Sequence, residues 1–279
     1  LNIRRRKAIN HLATLTLLAL SLLAIAPLFF IFAYVVYMGG SGLSWSFFTQ
    51  LPSPIGEPGG GMSNAIVGSL ILMVLACVVG VPWGIASGIY LSEYKERLTA
   101  KLLRFATDLL TSVPSIVVGL FVYAIIVAPF KGYSAYAGGI ALAMIMIPIV
   151  ARTTEEILKL MPDHIREAGL GLGLPRWKVI LRIVLPGSLS GVATGVMLAT
   201  ARVAGETAPL LFTSFSNNFE FRGLSQPTAS LPVQIFNYAS SQDDVWRQKA
   251  WTGALVLVLF VFVMNFATRA LISRPSGKS

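Results

Sequence analysis

Six apolar runs organise this chain, at residues 12–38, 65–91, 109–130, 136–151, 187–214 and 251–272. A helix needs about 20 mostly apolar residues to cross the hydrocarbon of a bilayer. Inside that hydrocarbon no water satisfies a backbone amide, so only helices and closed barrels span it. Runs this long and continuous suit helices. The fourth is short if it stops before Arg152, so the helix is expected to continue past that arginine. Composition points the same way: of 279 residues, 55% are hydrophobic and 12% charged, and mean hydropathy is +0.72. A soluble domain carries about 25% charged residues. The expected fold is an all-α integral membrane protein with six transmembrane helices.

Lysine and arginine placement sets the orientation. Arg4-Arg5-Arg6-Lys7 precedes the first apolar run, which is too long for a signal-peptide core of about 7–15 residues and reads as a retained signal anchor. The N-terminal tail, the link between the second and third runs, residues 152–186 and the C-terminal tail hold seventeen Lys and Arg together. The opposite side holds four: Lys131, Arg222, Arg247 and Lys249. Both termini are therefore expected in the cytoplasm. The net charge of +10 reflects this topology and not nucleic-acid binding. Cys77 is the sole cysteine, which excludes an internal disulfide, and His11 and His164 lack metal-ligand spacing. No nucleophile–base pair suggests catalysis.

The two outer loops are long. Residues 39–64 carry Pro52, Pro54, Pro58 and Gly59-Gly60-Gly61; residues 215–250 carry Pro227, Pro232, Phe236, Tyr238 and Trp246. Those aromatics suit interface anchors or the floor of a docking surface for an outer partner.

Between the fourth and fifth runs lies a polar island of about thirty residues with no lipid-facing purpose. Pro162-Asp163 starts a helix, with Asp163 near its N-cap, and Ile165, Ala168 and Leu172 fall on one face. Gly169, Gly171 and Gly173 permit a tight reversal, Pro175 suits the first turn of a second helix, and Leu185-Pro186 stops it. Such a block suits presentation to a soluble partner; the alternative is an amphipathic helix on the membrane surface. The glycine run follows a helix, whereas a dinucleotide loop follows a strand. The tail Ser276-Gly277-Lys278-Ser279 lacks the rest of a phosphate loop. No ATPase machinery is visible, so any motor belongs to another subunit.

Charges inside the runs bear on a solute. Arg202 lies fifteen residues into the fifth run, roughly 22 Å along a helix. An arginine there costs about 2.5–3.5 kcal/mol or more, so it faces protein or water. Glu206 is one turn on and can pair with it. Gly187, Gly191, Gly195 and Ala199 form a small-residue stripe on the same face, where another helix or a cavity can approach closely. Arg202 is thus either half of a structural pair or an anion-attracting point in a path. Arg152, followed by Glu155 and Glu156, is either a snorkelling interfacial residue or an inner gate at which an anion and Glu155 compete for one guanidinium. Ser112-Val113-Pro114-Ser115 breaks the third run; its hydroxyls can re-satisfy the backbone or meet an oxyanion.

The spacing from Glu167-Ala168-Gly169 through Gly173 to Ile183-Val184-Leu185-Pro186 resembles the EAA signature of ABC-importer permeases, with Gly169 in place of the second alanine. With Ala151-Arg152-Thr153-Thr154-Glu155 and residues 201–210, the chain from about Met62 to Ala270 resembles the PstA-type permeases of phosphate ABC importers, within the MetI-like permeases. The resemblance implies a type I ABC importer permease fold. Residues 1–61 would form an anchor helix and outer loop, 62–272 a permease core and 273–279 a tail. A coupling helix would occupy about 163–174, offering Arg166, Glu167, Ala168, Gly169, Gly173, Leu174 and Pro175 to an ATPase groove. It implies a substrate path of Arg152, Glu155, Arg202 and Glu206 for inorganic phosphate, and no cofactor in this chain, with ATP and Mg on the partner ATPase. The implied partners are a PstC-type sister permease, two copies of a PstB-type ATPase and an outer phosphate-binding protein, in a bacterial inner membrane. Another oxyanion or small solute, or a phosphate-responsive signalling scaffold, remains the alternative.

Overall fold

The computed structural model describes residues 3–57 and 59–272. The expected tail at 273–279, with Arg274 and Lys278, lies outside the described residues, as does Pro58. The described residues form helices joined by loops, without strands: α1 Ile3–Gly40, α2 Trp45–Thr49, α3 Ser63–Glu93, α4 Leu98–Ser112, α5 Ser115–Val122, α6 Ala128–Phe130, α7 Ala135–Lys159, α8 Asp163–Gly171, α9 Arg176–Val179, α10 Leu185–Gly187, α11 Leu189–Ala204, α12 Ala208–Thr213, α13 Leu231–Ala239 and α14 Asp244–Ile272. The helices α1, α3, α7 and α14 are long and apolar enough to cross a membrane singly. Two bent pairs complete six spans. Leu98–Ser112 and Ser115–Phe130 meet at 105°, and Arg176–Gly187 and Leu189–Ala204 at 73°.

Four spans fall where the apolar runs place them, and α7 does run past Arg152 to Lys159. The other two differ. The third unit starts at Leu98 rather than 109, because α4 is an amphipathic half-helix whose polar first turns hide it from a hydropathy reading. The fifth starts at Arg176 rather than Gly187 and breaks twice, at Ser188 and at Gly205–Thr207. In both units a π-helical turn precedes a proline: Tyr123–Val127 before Pro129 and Ile180–Val184 before Pro186. Proline lacks an amide donor and crowds the carbonyl one turn back, and a wider turn relieves both.

The helix α7 is the axis of the fold, gripped by small residues on two sides. A Cβ on Gly80, Gly84 or Gly88 of α3 would sit 2.5–2.9 Å from Met146, Val150 or Thr154. Residue numbers rise together on the two helices, so they run parallel. On the other side Gly187, Gly191 and Gly195 abut Met161, Ile157 and Thr153. That contact is antiparallel, and it is the expected small-residue stripe. Close backbone approach replaces the hydrophobic drive that lipid cannot supply between helices. At its far end α1 is pinned to α14: Thr252 Oγ1 donates to Gly39 O at 3.1 Å, and Tyr34 packs edge-on to Trp251. Among its described side chains the rest of α1 is almost wholly exposed.

The outer aromatics are partly structural. Tyr238 is buried and stacks on Trp246 with ring centres 4.2 Å apart, while Phe236 stays exposed.

Candidate functional site

Three places carry the charged and special residues singled out above. The first is the basic end of α7. Glu155 is fully buried. Its Oε1 accepts from Arg104 Nε at 3.0 Å, Arg104 Nη2 at 2.7 Å and Lys159 Nζ at 2.5 Å. Its Oε2 accepts from Arg152 Nη1 at 3.4 Å, and Arg152 turns its Nε to Glu156 Oε1 at 3.1 Å. The expected contest between an anion and Glu155 for Arg152 therefore needs revision, since the carboxylate is mainly satisfied by other donors. Sequence reasoning missed Arg104, which lies 51 residues from Glu155. Its only sequence signal is a cation on the polar side of an amphipathic half-helix.

The second place is a small crevice about midway along α7. It is lined by Thr111 and Val113 at the end of α4, Ser115 and Val118 of α5, Ile145 and Ile149 of α7, and Arg202. The crevice thus forms where the third span breaks, opposite the second break of the fifth. Arg202 continues the stripe of α11 along α7, and its side chain is 56% exposed. The expected pair with Glu206 is loose: Nε to Oε1 is 3.9 Å, beyond hydrogen-bond length. The helix ends at Ala204, which moves Glu206 off the position a continuous helix would give it. Ser112 spends its hydroxyl on the Asp108 carbonyl at 2.9 Å, re-satisfying its own helix, whereas Ser115 faces the crevice. The structure therefore joins Arg202 to Ser115 and keeps Arg152 and Glu155 as a separate group.

The third place is α8 and the turn after it. Gly173 adopts φ +78°, and its Cβ position is open, so the reversal rests on this glycine. Gly169 serves differently: it lies against Val179 and Ile183, where a side chain would not fit. Arg166 points inward. It bonds Glu93 Oε1 at 3.1 Å, the Met161 carbonyl at 2.7 Å and the Leu158 carbonyl at 2.7 Å. It thereby satisfies the open carbonyls at the end of α7 and ties α8 to α3. Leu174 packs with Leu158, Val179 and Val184. Glu167, Ala168, Leu170, Leu172, Gly173 and Pro175 are exposed, with Leu172 at 82%. The expected face of Ile165, Ala168 and Leu172 is split, because the helix stops at Gly171 and Leu172 leaves it.

Broken spans meeting at an arginine, with a polar helix and turn exposed at the basic end, define a membrane permease. Residues 80–277 match the family of binding-protein-dependent transport system inner membrane components. The chain is 47% identical over 272 residues to the phosphate transport system permease protein PstA of Yersinia pestis, covering 97% of this chain and 92% of that one. It is 42% identical to the PstA of Xylella fastidiosa strain Temecula1 (97% and 95% covered) and 37% identical to that of Mycobacterium leprae (94% and 88%). Its fold is similar to that of the inward-facing MetNI methionine ABC transporter, with TM-score 0.59, 16% identity, and 75% of this chain and 92% of that chain covered. The chain belongs to the binding-protein-dependent inner membrane transport components and, within them, to the PstA phosphate permease family.

Proposed function

We infer that this chain carries inorganic phosphate into the cytoplasm as one membrane subunit of an ATP-driven importer. Arg202 is the observation that carries the reading. It is a half-exposed cation at the meeting of two broken spans, and among the described residues its ion pair, to Glu206 at 3.9 Å, is longer than a hydrogen bond. A charge so placed is costly unless something compensates it. Phosphate near neutrality carries about 1.5–2 negative charges, and a fixed guanidinium binds such an oxyanion through strong charge-assisted bonds. The names of the PstA relatives support phosphate as that oxyanion.

Arg152 would be the second cation on the path, at its cytoplasmic end. Glu206 would be the counter-charge that keeps Arg202 from trapping the ion, while Glu155, held by Arg104 and Lys159, would leave Arg152 to it. The seventeen-to-four distribution of basic residues supports both termini lying in the cytoplasm. The exposed surface of Glu167, Ala168, Leu172 and Pro175 would dock into an ATPase groove. Two PstB-type ATPases, with ATP and Mg, a PstC-type sister permease and an outer binding protein would complete the machine. Nucleotide binding on the ATPases would bias the spans between outward and inward arrangements.

The test is the complete importer in sealed vesicles, with labelled phosphate on the binding-protein side. ATP-dependent uptake resisted by unlabelled phosphate and not by sulfate is the expected result. Uptake competed equally by sulfate would make the chain a general oxyanion permease. No phosphate uptake by an assembled, ATP-hydrolysing complex would overturn the reading.

A further inference from the structure

Glu155 uses its two oxygens unequally. Oε1 takes both donors of Arg104 and the ammonium of Lys159, at 2.5–3.0 Å. Oε2 takes only Arg152, at 3.4 Å, near the limit of a hydrogen bond. The better contact of Arg152 is to Glu156, whose side chain is 61% exposed. Ion pairs exposed to that degree are weak and exchange readily with solvent. Of the three cations around the buried carboxylate, Arg152 is the one held least.

Arg104 comes from a different element. It projects from the face of α4 that also buries Ala100 and Thr107. Its Nη2 also reaches the Leu91 carbonyl near the end of α3, at 3.4 Å. Leu98, Leu102, Phe105 and Leu109 are exposed, and their spacing places them on the opposite face. The same half-helix therefore clamps Glu155 at its middle and walls the Arg202 crevice at its end, through Leu110 and Thr111.

We propose that Arg104 is a positioning residue of the transport path: by neutralising Glu155 from α4, it leaves the Arg152 guanidinium free for the departing anion. This rests on the reading of Arg202 and Arg152 as path cations. Without Arg104, Glu155 Oε1 loses two of its three donors. Arg152, three residues away on the same helix and already in contact, is the group able to replace them. A full Arg152–Glu155 pair satisfies the carboxylate and removes a cation from the path. Arg104 itself touches no phosphate in this scheme.

The test uses the complete importer in sealed vesicles with inorganic phosphate, reading phosphate moved per ATP hydrolysed. Arg104→Gln should assemble and hydrolyse ATP while this ratio falls about tenfold or more. Arg104→Lys should keep much of it, since an ammonium still neutralises Glu155 without the fork. The decisive variant is Arg104→Gln/Glu155→Gln. With no carboxylate to capture Arg152, its ratio should return to within about threefold of the parent. A packing role alone predicts lower complex yield at an unchanged ratio. An unchanged ratio in the single variant, or a double variant as uncoupled as the single, would overturn the proposal. So would a double variant that fails to assemble, since Arg104 would then hold the fold and not the gate. A parent complex that moves a different solute would refute the phosphate reading instead, and the same ratios, read with that solute, would still judge Arg104.

Discussion

The α3–α7 seam and the Arg202 crevice use neighbouring faces of one helix and are built on opposite principles. On one face Met146, Val150 and Thr154 are pressed against Gly80, Gly84 and Gly88 with no room for a methyl group. On the other, Ile145 and Ile149 look into a crevice between broken spans, where Arg202 lacks a close partner. The seam satisfies its backbone with regular helix and its packing with glycine. The crevice gives up helix continuity at Val113-Pro114 and Gly205–Thr207 and leaves a charge only loosely paired. Glu155 sharpens the contrast. It too is a charge in an apolar helix, yet three cations satisfy it.

The largest effect is expected at Arg202. Arg202→Gln should lower phosphate uptake by about 100-fold or more while the complex still assembles, and Arg202→Lys should be intermediate because a point charge remains without bidentate geometry. The comparison breaks if Arg202→Gln/Glu206→Gln restores uptake near the parent level, since the arginine would then be only a structural partner.

A smaller effect, and of the opposite kind, is expected in the seam. A Cβ at Gly88 would lie 2.5 Å from the Thr154 Cβ and 2.6 Å from the Ala151 carbonyl oxygen, which cannot move aside. Gly88→Val should cost about 1–3 kcal/mol of stability, read as a lower melting temperature of the purified complex. The molecules that survive should transport normally per complex. Unchanged melting would show that the seam is looser than its contacts imply.

The smallest structural effects are expected at the exposed turn after α8. Gly173→Asp should cost about 1–2 kcal/mol locally through its left-handed backbone, leave the spans inserted and lose ATPase co-purification. Gly171→Ala, with open space and ordinary backbone, should stay within about 0.5 kcal/mol of the parent. Equal loss of the ATPase in both variants would mean the docking surface is larger than the turn.

Much of this was legible in the residues. The apolar runs, the continuation of α7 past Arg152, the Gly187–Gly195 stripe and the reversal at Gly173 all depend on local properties: length, period and backbone freedom. Arg104 and Glu93 were not legible. Each finds its ion partner on another helix, and nothing in one sequence pairs residues 51 or 73 positions apart. The same limit hid the inward contacts of Arg166, whose guanidinium is drawn to the carbonyls ending α7.

By itself the sequence determined that this chain crosses a membrane as helices, which end bears the basic residues, and where a polar helix–turn element and an intramembrane arginine must occur. Those follow from the cost of bare amides and charges in hydrocarbon, a cost each segment meets on its own. Only the tertiary structure decided which charges are satisfied within the fold and which are left loosely paired. Glu155 and Arg202 look alike along the chain. They differ because α4 brings Arg104 to the one, while two broken helices leave the other facing a crevice.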